Sequence, residues 1–89
     1  MEYKVYVDVD VSFDTDGNMR PRTITWEDGT KFDVDRIFDV RPAAAQKAGG
    51  QGDRFTISVM GRRTYLFFER CADICGVRLG RWFVERREA

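Results

Sequence analysis

The run Tyr3-Lys4-Val5-Tyr6-Val7-Asp8-Val9-Asp10-Val11-Ser12-Phe13 decides the fold class. Tyr3, Val5, Val7, Val9, Val11 and Phe13 share one face, and Lys4, Tyr6, Asp8, Asp10 and Ser12 the other. Strict alternation with β-branched residues is the pattern of a half-buried strand. Asp14-Thr15-Asp16-Gly17-Asn18 then reads as a turn. It echoes a calcium loop only in outline: with Gly17 at the sixth position, the twelfth is Thr23, where a bidentate Glu is required.

Working outward, Met19 to Trp26 reads as a second strand, with Pro21 at an edge or bulge because it has no N–H for the ladder. Glu27-Asp28-Gly29-Thr30 is a hairpin signal. Gly29 in a left-handed conformation places Ile24 and Trp26 on the same face as Phe32 and Val34. The third strand runs from Lys31 towards Arg41, and Ile37 breaks its parity, which predicts a bulge or bend at a barrel corner. Pro42 is expected to end the pairing, and Ala43 to Ala48 to form a short helix before Gly49. Arg54 to Met60 alternates with Phe55, Ile57 and Val59 inward. Gly61-Arg62-Arg63 turns the chain, and Thr64 to Arg70 returns antiparallel. Cys71 to Gly80 is expected to be a connector with a helical turn, and Arg81 to Arg86 a last strand.

Six short strands within 89 residues predict a single all-β domain spanning 1–89. The expected fold is a small, antiparallel, strongly bent β-barrel with one short helical insert, since closure removes most strand edges. An SH3-like barrel is the first reading. An OB-like barrel is the second, because the insert falls where that fold carries its helix.

Ile24-Thr25-Trp26-Glu27-Asp28-Gly29, then Phe32, Val34, Ile37, Asp39 and Arg41, form one familiar set. Arg41-Pro42-Ala43, Lys47 through Arg54, Leu66-Phe67-Phe68-Glu69 and Trp82-Phe83-Val84 extend it. Together they resemble a set of small single-domain bacterial proteins of unassigned function, over most of the chain from Ile24 to Val84. The resemblance implies a stand-alone cytosolic barrel and brings no catalytic residues with it.

Composition narrows the function classes. The chain has no His, so the commonest general base and metal ligand are missing. Ser58, Thr56, Thr64 and Cys71 therefore lack a partner to activate them, and no enzyme is expected. Asp8, Asp10, Asp33, Asp35 and Asp39 fall on the polar side of alternating strands and read as a solvated face, not as paired catalytic carboxylates. Cys71 and Cys75 are too few for a disulfide framework or, without His, for a zinc site. They read as reduced thiols of a cytoplasmic protein, with no metal or other cofactor expected. There is no long apolar run and no signal-peptide pattern, so no membrane partner is expected either.

The net charge is zero, but it is unevenly placed. Met1 to Val40 carries ten acidic and five basic residues, and Arg41 to Ala89 five acidic and ten basic, mostly arginine. Two arrangements satisfy that count: acidic and basic strands paired across a sheet, or a basic face for an anionic partner. A pI near 6.2 favours the first.

The expected function is a non-enzymatic binding module. For nucleic acid, the candidate residues are Arg54, Arg62, Arg63 and Arg81 on phosphates. Lys47, Gly49, Gly50 and Gly52 would support them as a Gly-rich anion nest. Gly49-Gly50-Gln51 is also the tripeptide with which peptide-release factors hydrolyse peptidyl-tRNA, but Gly52 follows it directly and no long basic tail accompanies it. The alternative is a protein partner or a homodimer. The run Tyr65-Leu66-Phe67-Phe68 is apolar on both faces and needs cover on both. Tyr65, Phe67 and Phe83 are the candidate interface residues.

Overall fold

The computed structural model describes residues 2–44, 51–75 and 78–87. It contains six strands: β1 (Glu2–Phe13), β2 (Met19–Thr25), β3 (Lys31–Ala44), β4 (Gln51–Val59), β5 (Arg62–Cys75) and β6 (Arg78–Arg87). They pair antiparallel in chain order, and β6 returns to β1 to close a barrel. Among the described residues there is no helix, and so none long and apolar enough to cross a membrane.

The alternation in β1 does what the sequence predicts at its centre. Val5 is buried, and Val7, Val9 and Val11 pack against the core. Its two ends differ: Tyr3 and Phe13 are exposed. The core proper is Ile24, Phe55, Ile57, Leu66 and Trp82, with Ile57 and Leu66 fully buried. Phe55 and Phe68 both lean on the Trp82 ring, with centroids 5.1 and 4.9 Å away.

Closing so small a barrel requires strands that bend and change partners. β1 pairs with β6 up to Val7 and with β2 from Asp8 onward. β3 pairs with β2 only through Lys31 to Asp33, then with β4 from Val34. Two irregularities mark that bend, between Val34 and Arg36 and between Ile37 and Asp39, where the parity of Ile37 predicts one. Pro21 is buried beside a bulge in β2, where Thr23 and Pro21 face consecutive residues of β1. The β2–β3 turn has Gly29 at φ +88°, and Ile24 lies opposite Phe32 as expected.

Three expectations need correction. Pro42 does not end β3: it pairs with Asp53, and Ala43 and Ala44 continue the ladder against Gly52 and Gln51. The first two residues of the expected helix are thus strand, and 45–48 lie outside the described residues. Past Asp33 one edge of β3 has no partner strand, and a strand with a free edge tolerates Pro. Cys71 to Cys75 and Arg78 to Gly80, expected in a connector with a helical turn, are likewise strand, and 76–77 lie outside the described residues. β5 runs to Cys75 and β6 starts at Arg78, with Cys75 opposite Arg78. Finally, Arg62 and Arg63 are not turn residues. The turn is Met60-Gly61, both at positive φ, and Arg62 and Arg63 open β5 opposite Val59 and Ser58.

Candidate nucleic-acid interface on the outer wall

Alternation sets which side chains leave the barrel. With Phe55 and Ile57 inward, Arg54, Thr56 and Ser58 face out of β4. With Leu66 and Phe68 inward, Arg63, Tyr65, Phe67 and Glu69 face out of β5. The register then lines them up across the wall. Tyr6 lies opposite Phe83, Phe83 opposite Phe67, Phe67 opposite Arg54, and Arg54 opposite Arg41. One row of three aromatic and two arginine side chains therefore crosses five strands.

The rings in this row touch. Phe67 and Phe83 stack with centroids 5.0 Å apart and planes 7° from parallel. Tyr6 meets Phe83 edge-on at 5.8 Å. Cations lie over the rings: Lys4 over Phe83 at 4.7 Å, Arg81 over Tyr6 at 3.8 Å and Arg54 over Tyr65 at 4.7 Å. Further along the same wall Arg36 and Arg63 both lie over Phe38, at 5.4 and 4.1 Å. A cation over an aromatic face is held by the ring quadrupole, which keeps the guanidinium flat and leaves its N–H edge free to bond.

Glu69 anchors one end of the row. Lys4 Nζ donates to its carboxylate at 2.6 Å, Tyr6 OH donates at 3.1 Å, and Arg81 lies 3.7 Å away. The Lys4 hydrogen bond above all, with help from Tyr6 and the charges of Lys4 and Arg81, holds this carboxyl below the usual glutamate range, against the opposing effect of burial. At the other end Arg41 lies 3.5 Å from the Asp39 carboxylate. Among the described residues Arg54 and Arg63 have no carboxylate partner. Arg54 Nε and Asp39 Oδ1 are buried without a hydrogen-bond partner there.

The expected site residues are only partly brought together. Arg54 and Arg81 join the aromatic row, with Arg63 further along the same wall. Arg62 does not, because alternation sends it to the core-facing parity at the barrel rim, where it is exposed. Gly52 is not part of a loop nest: it is a buried β4 residue on which a Cβ would collide with the Phe68 carbonyl oxygen. Lys47, Gly49 and Gly50 lie outside the described residues. Tyr65 is 50% exposed, whereas Phe83 is only 6% exposed although it faces outward. The side chains of Cys71 and Cys75 are not described.

Sequence reading missed Lys4, Tyr6, Phe38 and Glu69. The β1 parity already puts Lys4 and Tyr6 outward, but their partner Glu69 is 65 and 63 residues away, and only the β6–β1 closure joins them. The opposite wall carries both charges. Asp8, Asp10 and Asp33 are exposed there beside the exposed cations Arg20 and Lys31, and Asp14 is turned into its own loop by hydrogen bonds from Asp16 and Asn18. Asp35 lies instead at the β4–β5 turn, where it accepts from the Gly61 N–H at 3.1 Å. Lys4–Glu69 is the ion pair that links different strands from the two charge halves of the chain, among the described residues. Comparison with protein-family models, curated proteins and solved structures finds no match to this chain, so the resemblance over Ile24–Val84 rests on those residues alone.

Proposed function

We propose that this barrel is a non-enzymatic module that binds single-stranded nucleic acid on the outer wall formed by the first half of β1, the second half of β3, and β4 to β6. The observation that carries the proposal is a set of exposed rings, each with an arginine beside it: Tyr6 with Arg81, Tyr65 with Arg54 and Phe38 with Arg63, arranged around the packed Phe67–Phe83 pair. Proteins that bind single strands combine cations for the backbone with aromatic faces for the bases. Here Tyr65 presents an exposed ring, and Arg54 and Arg63 present guanidinium edges. The opposite wall carries Asp8, Asp10 and Asp33 beside Arg20 and Lys31, a mixed surface that attracts phosphates less than the arginine-bearing wall does.

The non-enzymatic part rests on a chain without His and on a largely shielded carboxylate, Glu69, that is already bound by Lys4 and Tyr6. The sequential strand order supports an SH3-like description over an OB-like one, which is a Greek key. A cytoplasmic setting belongs to the same proposal, since that is where a protein with this partner and with reduced thiols works.

The alternative, a protein partner or a second copy on Tyr65, Phe67 and Phe83, loses part of its driving force. Phe67 and Phe83 cover each other, and Lys4 covers Phe83. The test is an anisotropy titration with single-stranded DNA and RNA at low and physiological salt, with light scattering on the same sample. Salt-sensitive micromolar binding by a monomer supports the proposal. No binding at low salt together with a dimeric mass overturns it in favour of an assembly surface.

A further inference from the structure

Three donors on the outer wall converge on one anion, and that anion belongs to the protein. Lys4 Nζ lies 2.6 Å from one oxygen of the Glu69 carboxylate, and Tyr6 OH and an Arg81 nitrogen lie 3.1 and 3.7 Å from the other. The donors come from β1 and β6 and the carboxylate from β5, so barrel closure builds the site. It is reachable from solvent: Tyr6 is 39% exposed and the Arg81 side chain 50%.

The site holds two cations against one carboxylate. Neither Lys4 nor Arg81 has another carboxylate within ion-pair distance among the described residues. Their donors exceed what Glu69 uses, since an ammonium carries three, a guanidinium five, and a carboxylate has only two oxygens to receive them. The same two cations lie over rings of the outer wall, Lys4 4.7 Å from the Phe83 centroid and Arg81 3.8 Å from that of Tyr6. Glu69 therefore holds both cations down on ring faces. A phosphate diester offers what Glu69 offers: one negative charge on two oxygens that accept charge-assisted hydrogen bonds.

We propose that Lys4, Tyr6 and Arg81 form a phosphate-binding site that Glu69 occupies in the free protein, so that a phosphate of the bound strand must displace an internal anion to reach it. This rests on the nucleic-acid reading of the outer wall. Exchanging one anion for another keeps both cations and the Tyr6 hydroxyl paired, so the opened site strands no donor. The displaced carboxylate is left close to the incoming phosphate, and that like-charge contact lowers affinity. Arg54 and Arg63, which have no carboxylate partner among the described residues, take phosphate without such competition.

The test is the affinity for fluorescein-labelled oligo(dT) at low and physiological salt. Glu69→Gln keeps the side-chain shape and an acceptor but removes the competing charge. It is expected to bind about tenfold more tightly than the native protein at low salt, with a salt slope steeper by roughly one to two, because Lys4 and Arg81 are freed for phosphate. Asp10→Asn, which removes the same charge from the opposite wall, is expected to change affinity by less than about twofold. Lys4→Gln added to Glu69→Gln is expected to take back most of the gain. In the native protein the carbon-13 signal of the Glu69 carboxyl is expected to move on saturation with the same oligonucleotide, a reading that needs no variant to fold. A Glu69→Gln gain no larger than that of Asp10→Asn, a gain that survives Lys4→Gln, or a Glu69 signal unmoved at saturation overturns the Glu69 assignment and leaves the outer-wall proposal standing. Binding by neither the native protein nor Glu69→Gln at low salt overturns both.

Discussion

The two walls of this barrel start from the same strand pattern and end differently. On the wall made by the second half of β1, β2 and the start of β3, apolar residues keep one parity. The outward positions carry the exposed carboxylates Asp8, Asp10 and Asp33 beside the exposed cations Arg20 and Lys31. On the wall made by β4, β5, β6 and the first half of β1, aromatic residues occupy both parities. Phe55, Phe68 and Trp82 fill the interior, and Tyr6, Phe67 and Phe83 form a second layer outside. The first wall has one apolar face and needs nothing beyond water. The second has two, and it covers the outer one with its own rings and cations. A strand that is apolar on both faces is therefore not by itself a sign of a missing subunit.

The largest test of that difference is stability. Phe83 is 6% exposed and Phe13, an outer-end ring of the first wall, is 64% exposed. Phe83→Ala is expected to cost about 3–4 kcal/mol in urea unfolding, and Phe13→Ala about 0.5 kcal/mol or less. Equal losses would mean the outer aromatic layer is not a packed layer at all.

Binding comes next. Arg54→Ala with Arg63→Ala is expected to weaken single-strand binding about 30-fold and to reduce the salt slope by roughly one to two, since each removes a phosphate contact. Arg22→Ala, an exposed β2 cation at the bulge, is expected to change neither. Unchanged affinity in the double variant would move the ligand off this wall.

The Glu69 lock gives a smaller, pH-dependent effect. Its carboxyl is held below the ordinary value of 4.5 by the Lys4 hydrogen bond first, then by Tyr6 and by the charges of Lys4 and Arg81. The unfolded chain thus takes up the proton at a higher pH than the folded one. The stabilisation is complete above about pH 4.5 and is lost as the pH falls through the lower folded value. Glu69→Gln is expected to cost about 1–2 kcal/mol near neutrality and to flatten the fall of the melting temperature in acid. A native-like acid profile in that variant would show that the lock contributes nothing.

The smallest effect lies at the β4–β5 turn. Met60 is 77% exposed and sits at φ +52°, beside Gly61 at φ +76°. A two-residue turn with both residues at positive φ prefers Asn-Gly. Met60→Asn is expected to raise stability by about 0.5–1 kcal/mol, read as a higher melting temperature. A lower one would contradict the turn geometry.

What the sequence shows of this molecule follows from range. Period-two runs, the Gly29 hairpin and the parity break at Ile37 are local, and they report six strands and a bent barrel. Ala43 and Ala44 have no strand preference of their own, and Cys71–Cys75 and Arg78–Gly80 have no regular alternation. Their strand structure comes from neighbouring strands across the ladder, which no local pattern carries. The same holds for the site. Arg54, Arg63 and Arg81 are visible as arginines among aromatics. Their separation from Arg62 is a matter of parity once the turn is placed at Met60-Gly61. Lys4, Tyr6 and Glu69 meet only because β6 closes on β1.

The central claim is that one wall binds and the other does not, and a nitrogen-15 correlation spectrum recorded during titration with a short single strand at low salt tests it most directly. The account predicts shift changes at Tyr6, Arg54, Tyr65, Phe67, Arg81 and Phe83, with Asp10, Thr23 and Asp33 unmoved. Shifts concentrated on Asp10, Thr23 and Asp33, or none on either wall at low salt, would contradict it.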